Sequence, residues 1–170
     1  MGDQRLTIHD GLLAASLMAF VLARINLKDF RDRTGDALYG RPTFLLRFGK
    51  GLTCGVSLAA LLVGNALLLA ALSPPLAFAV ILELFVGAIV WMLQRLRLAA
   101  DNRSEQVAIG LGARMGNGLL LTTLSWLTLQ QSGAPSGDRL LFTAVVTAVF
   151  GIGFLGLARR PDQAVLGYKG

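Results

Sequence analysis

The sequence is short of most things a soluble enzyme of its size relies on. Charged residues make up 15% of its 170 positions, against about 25% in ordinary globular domains. There is one cysteine, Cys54, and one histidine, His9. A single cysteine excludes an internal disulfide. The two together exclude a Cys/His zinc cluster, and one histidine excludes a histidine-rich active site. No secretory signal is visible: residues 1–7 are mostly polar and mixed in charge, and the apolar run after them ends in Arg24 and a charged stretch, with no small-residue cleavage pattern. None of the glycines follows a strand, so they form no nucleotide-binding fingerprint.

What is present is apolar length. Hydrophobic residues make up 54% of the chain. Apolar segments run over 8–27, 52–72, 76–93 and 140–158. A bilayer core of about 30 Å needs roughly 20 helical residues, and these segments fit. A further segment, 105–131, starts amphipathic around Arg114 and turns apolar with several Ser and Thr positions; it is read as a span entering at an angle. The predicted fold is an all-α, polytopic transmembrane helical bundle of five spans, a single membrane domain over 1–170. "SPP" at 73–75 and "SGAPSGD" at 132–138 are tight turns, since proline cannot continue the helix before it. The other two connections are charged.

The cations lie on one side. Strict alternation of five spans places 14 of the 16 Lys and Arg residues together and leaves only Arg5 and Arg139 opposite. By the positive-inside bias the 14 are cytoplasmic, along with the C-terminus and the 28–50 region. The net charge of +6 is then a property of membrane loops, and no nucleic-acid partner is expected. The N-terminus falls outside, without a signal sequence, which leads to the expectation that a segment normally precedes Met1.

One stretch stands apart: "KDFRDRTGDALYGRP", 28–42. Nothing between Arg24 and Thr34 breaks a helix, so the first span is predicted to continue to about Ala37, with Gly40, Arg41 and Pro42 stopping it. Asp29, Asp32 and Asp36 then stand at i, i+3 and i+7 on one face. Neighbours about 5–6 Å apart repel by about 3 kcal/mol at an effective dielectric near 20. Something cationic must sit there. Lys28 with Asp32 and Asp29 with Arg33 are i,i+4 pairs, giving a solvated salt-bridge ladder of little energetic weight. Arg31 points to the opposite face. The alternative is a divalent metal such as Mg²⁺, which favours carboxylates together with phosphate oxygens. Spacing alone leaves both open.

"KDFRDRTGD" followed by "GRPTFLLRFG" resembles the second aspartate-rich motif of the UbiA superfamily of intramembrane prenyltransferases, which reads D-x-x-D-x-x-x-D. Lys28, Asp29, Asp32, Gly35 and Asp36 match its positions, and Gly40, Thr43 and Gly49 follow as in that family. The "DNRSEQ" start of the fourth segment is also similar to the family's last helix, which leaves the fifth segment as an extra span. The resemblance implies Mg²⁺ held by Asp29, Asp32 and Asp36 as metal-binding catalytic residues. It also implies a polyprenyl diphosphate contacted by Lys28, Arg33 and Arg41, and transfer of the prenyl group to an aromatic or lipid acceptor. The family's first motif, N-D-x-x-D-x-x-x-D, does not occur here. The chain therefore resembles the C-terminal half of such an enzyme. It is expected to need a second half, and to give no turnover alone.

The remaining polar residues carry competing readings. Glu83, inside the third span, is either a functional intramembrane carboxylate or a neutral one hydrogen-bonded to a neighbouring helix. The rival functions are a non-catalytic membrane subunit with a salt-bridged acidic surface, and a small transporter coupled through Glu83. Arg114 and Asn117 are placed at the cavity mouth, or Arg114 at the headgroups. His9 reads as interfacial, Cys54 as a small buried residue, Trp91 and Trp126 as packing or interface anchors, and the glycines of "GIGFLG" as sites of close helix contact.

Overall fold

The computed structural model describes residues 7–160. Five helices follow one another, α1 (Ile8–Leu38), α2 (Phe44–Leu72), α3 (Leu76–Leu98), α4 (Asn102–Gln131) and α5 (Ser136–Arg159). Each is long and apolar enough to cross a membrane, and no strand occurs among the described residues. The protein is an all-α, five-span helical membrane bundle.

The helix ends follow from local chemistry. Thr7 and Asp10 form a reciprocal capping box: the Asp10 amide donates to Thr7 Oγ1 at 3.2 Å and the Thr7 amide to Asp10 Oδ2 at 2.9 Å. With 31 residues, α1 is about 46 Å long and overshoots a hydrocarbon core of about 30 Å. Its apolar stretch ends at Leu27, and the aspartate-bearing 28–38 segment projects beyond. Gly40 at φ +62° ends the helix, a conformation open to glycine at little cost. Thr43 then caps α2, its hydroxyl accepting from the Leu46 amide at 3.3 Å. Ser73 turns the chain with φ +39° and Pro75 opens α3.

The first helix ends at Leu38, close to the expected Ala37, and where the other boundaries differ from the apolar segments the helices are longer. Each apolar segment lies within a longer helix, with which it often shares one end, and the 28–50 region is helical except around 39–43. Capping and backbone hydrogen bonding continue where hydrophobicity stops, so an apolar window underestimates the helix.

Packing uses small residues at the crossings. Ser16 Oγ donates to the Gly64 carbonyl at 2.7 Å. A Cβ at Gly64 would lie 2.9 Å from the Phe20 ring, and one at Gly118 would lie 2.9 Å from that of Phe150. These are the close approaches that glycine permits. The "GIGFLG" glycines do not serve this purpose: a Cβ at Gly151, Gly153 or Gly156 would meet nothing within 4 Å. They lie on α5, a peripheral helix with Thr143 as its one buried residue. The core runs through α2, α3 and α4, with Leu61, Leu68, Phe78, Leu82, Leu96 and Leu119 almost wholly enclosed.

Candidate functional site

Short connections make successive helices antiparallel. The end of α1, the start of α2 and the α3–α4 turn therefore meet at one end of the bundle. Side chains tie them together. Lys50 Nζ donates to the Ala99 carbonyl at 2.6 Å and makes a short ion pair with Glu105 Oε1, while Arg33 approaches Glu105 Oε2 at 3.8 Å. The Lys50 and Glu105 side chains are only 23% and 15% exposed. One carboxylate on α4 thus holds a cation from α1 and one from α2. This latch was not apparent in the sequence. Lys50 and Glu105 are 55 positions apart, and no local spacing links them.

The helix carrying the aspartates continues to Leu38, so Asp29, Asp32 and Asp36 share one face of α1 as expected. All three are half-buried, whereas Lys28, Arg31 and Arg33 remain exposed. The ion pairing differs from the ladder that spacing suggested. Lys28 Nζ lies 4.0 Å from Asp32 Oδ2. Arg33 turns to Glu105 rather than Asp29. Arg31, expected on the opposite face, curls back so that its Nε donates to Asp32 Oδ1 at 3.3 Å. Proximity in sequence wins because the long arginine side chain spans the turn. Among the described residues, Asp32 alone of the three is ion-paired.

The electrostatics follow. Burial, then repulsion from Asp36 and Asp32, pushes the Asp29 carboxyl above the usual aspartate range, with Lys28 pulling the other way. The α3–α4 turn behaves oppositely. Asp101 caps α4 by accepting from the Ser104 hydroxyl at 2.7 Å and its amide at 2.8 Å, and these bonds hold its carboxyl below the usual range.

Among the described residues, no three His, Cys, Asp or Glu side chains gather closely enough to hold a metal ion. The aspartate row is a line along one helix and does not by itself form a Mg²⁺ cage. Arg41 is exposed in the turn after α1, where its amide donates to the Asp36 carbonyl at 2.8 Å. The three residues that follow the aspartates in the motif all shape the backbone. Gly40 ends α1, Thr43 caps α2, and Gly49, at φ +79° and ψ 171°, kinks α2 in its second turn.

A cavity of about 550 Å³ opens at this end, lined by Arg33, Gly49, Lys50, Asn102 and Glu105 among others. None of the three aspartates lines it. A second, smaller crevice lies among apolar side chains of α1–α4 near Arg24 and Gly116.

The other polar residues fall into place around this frame. Glu83 lies on the outer face of α3, about 10 Å from its start. There it accepts from Asn65 Nδ2 of α2 at 2.6 Å, so the expected interhelical hydrogen bond is present. It lines neither cavity. Arg114 is half-buried and Asn117 exposed; neither lines the cavity at the aspartate end. His9 is exposed at the start of α1, and Cys54 is buried. Trp126 stacks on Phe78 at 4.0 Å, with Arg139 over its ring, and Trp91 is partly exposed against Phe154 and Arg95. Compared with protein-family models, with curated proteins and with solved structures, the chain matches none.

Proposed function

We propose that this chain carries one flank of a UbiA-like prenyltransferase site, on the cytoplasmic side of the inner membrane. The reading is supported most by the burial of the aspartate row. A solvated salt-bridge surface would expose its acids and cations alike. Here the acids are half-buried, the cations between them are exposed, and two of the three acids have no ion-pair partner among the described residues. Repelling carboxylates kept close together are a standing electrostatic cost, and a divalent cation is the chemistry that removes it.

In this reading Asp29, Asp32 and Asp36 present carboxylate oxygens from one side. Mg²⁺ when bound would neutralise a departing diphosphate. Lys28, Arg33 and Arg41 supply further positive charge toward the diphosphate of a polyprenyl donor. The row does not amount to a complete metal site, so the reading requires a second acidic set, on a partner chain or another segment, and places the acceptor between the two. The positive-inside bias supports a cytoplasmic position for the aspartates and for the C-terminus.

The test is retention of a labelled polyprenyl diphosphate by the purified chain with and without Mg²⁺, alongside an assay for prenyl transfer. The expected result is Mg²⁺-dependent binding that Asp32→Ala with Asp36→Ala abolishes, with no transfer product until a chain bearing N-D-x-x-D-x-x-x-D is added. Unchanged binding in the double variant would remove the metal role and favour the non-catalytic membrane subunit. Turnover by the chain alone would refute the half-site.

A further inference from the structure

The cavity beside the latch is lined by residues of which the prenyl-transfer reading uses only Arg33. Its wall is made by Arg33 of α1, by Gly49 and Lys50 of α2, and by the α3–α4 turn from Ala99 to Asn102 with Glu105 beyond it. Donors are in excess there. An ammonium group has three N–H bonds, and Lys50 commits them to two acceptors, the Ala99 carbonyl and Glu105. Arg33 has five, and at 3.8 Å from Glu105 it sits in ion-pair contact but beyond hydrogen-bond reach, with its side chain 53% exposed. Two helix starts also border the space. One is the start of α4; the other is the restart of α2 after Gly49, whose non-helical dihedrals interrupt the helix. Amides at such starts favour an anion.

The charge balance narrows the ligand. Glu105 offsets one of the two cations. Asp101 is spent on capping α4 through Ser104, where its charge faces the helix dipole. The formal charges of the wall cancel, Arg33 and Lys50 against Glu105 and Asp101, and the positive excess toward the cavity is the part of the Asp101 charge that the helix dipole offsets, about half a charge. A free diphosphate carries several negative charges, whereas a phosphodiester carries one. The cavity also sits where α1, α2 and α4 leave their apolar stretches, which is the level of the lipid headgroups.

We propose that this cavity binds the phosphodiester headgroup of an anionic membrane lipid, with Arg33 and Lys50 as its cationic ligands and Glu105 as the residue that positions both. The lipid would brace the joint between the aspartate hairpin and the α3–α4 turn. This inference shares Arg33 with the prenyl-transfer reading but uses none of the three aspartates and no metal, so lipid retention and prenyl transfer can fail separately.

The experiment is a lipid titration of the purified full chain in detergent, read by native mass spectrometry and by thermal stability. Phosphatidylglycerol is the probe, and inorganic phosphate and diphosphate are separate competitors. The expected result is saturable retention of one phosphatidylglycerol, weakened roughly fivefold by Lys50→Gln or Arg33→Gln and about thirtyfold by both together. Arg47→Gln, which removes an exposed cation at the same end that does not line the cavity, should leave it unchanged, and Lys50→Arg should largely restore it. Asn102→Glu changes an exposed residue on the cavity wall. It should weaken binding about fivefold without touching the latch, which keeps the test valid if the double variant does not fold. Equal weakening by Arg47→Gln would reduce the effect to general surface charge and overturn the site. Displacement of the lipid by millimolar phosphate or diphosphate would overturn the lipid assignment in favour of a free phosphate ligand. Failure to retain any phosphatidylglycerol would overturn the proposal outright, whatever the outcome of the prenyl-transfer assay.

Discussion

At the end of the bundle away from the aspartates, the helices are joined by short turns at 73–75 and 132–135 and closed by aromatic packing. Trp126 lies flat on Phe78 with an interplanar angle of 18°, and the Arg139 guanidinium covers its ring at 5.0 Å. At the aspartate end the helices overshoot the apolar core and are joined by charge, through the Lys50–Glu105–Arg33 latch. The first arrangement is closed by ring packing. The second gathers acids and cations beside an open cavity. A bundle that needed only stability could have closed both ends in the first way. The contrast is between an end closed by ring packing and an end joined by ion pairs around an open cavity.

The comparison can be broken most severely at its aromatic end. Trp126→Ala is expected to lower stability by about 3 kcal/mol, by analogy with the loss of other buried aromatics. The loss should be insensitive to salt, as followed by thermal unfolding in detergent at two ionic strengths. A strong salt dependence would mean that Arg139, and not ring packing, closes that end.

Next in size is the latch. Glu105→Ala leaves Lys50 and Arg33 without their shared carboxylate and is expected to lower stability by about 2 kcal/mol. That is below the range for a fully buried pair because the groups keep some solvent contact. Proteolysis should detect the joint loosening near Gly49 before the bundle unfolds. Equal protection of that segment in the variant would show that the kinked turn holds without the latch.

The smallest effects compare two acids of the same end, and their signs are opposite. The Asp29 carboxyl is raised by burial and by its acidic neighbours. A group raised in the folded state contributes stability that is fully present below its unfolded value and lost as pH rises through its folded value. Asp29→Asn should therefore be slightly more stable than wild type at neutral pH and equal to it well below pH 4. Mg²⁺ should remove the neutral-pH difference if the row takes the metal. The Asp101 carboxyl is lowered by its bonds to Ser104. Its contribution is present above the unfolded value and lost as pH falls through the folded value. Asp101→Ala should therefore be less stable than wild type at neutral pH, with the gap closing on acidification. Melting curves of both variants between pH 3 and 7 would check the two slopes; parallel slopes would show that the two carboxylates share one environment.

Much of the architecture was readable from composition and length. Runs near twenty apolar residues admit few structures in a bilayer, because every backbone polar group must be satisfied within its own segment. The five spans, their order and the two tight turns follow from that constraint. The aspartate row was readable too, since a helix fixes which residues share a face at i, i+3 and i+7. Less was readable where side chains choose between partners. Arg33 had an acid four residues away and took Glu105 instead, and Arg31 took the acid next to it. The "GIGFLG" glycines looked like packing sites, but the contacts that demand glycine fall at Gly64 and Gly118, where a neighbouring helix passes closely.

Local periodicity and the absence of helix breakers were enough to determine five membrane helices and three aspartates on one face near a charged end. Only the tertiary structure decided what those charges do. It covered the aspartates by half and brought Lys50 to Glu105 across 55 positions, and it left an open cavity beside that pair. The reason is physical: a helix fixes the direction of each side chain from its own sequence, but the partner an ion finds depends on which helix end arrives beside it.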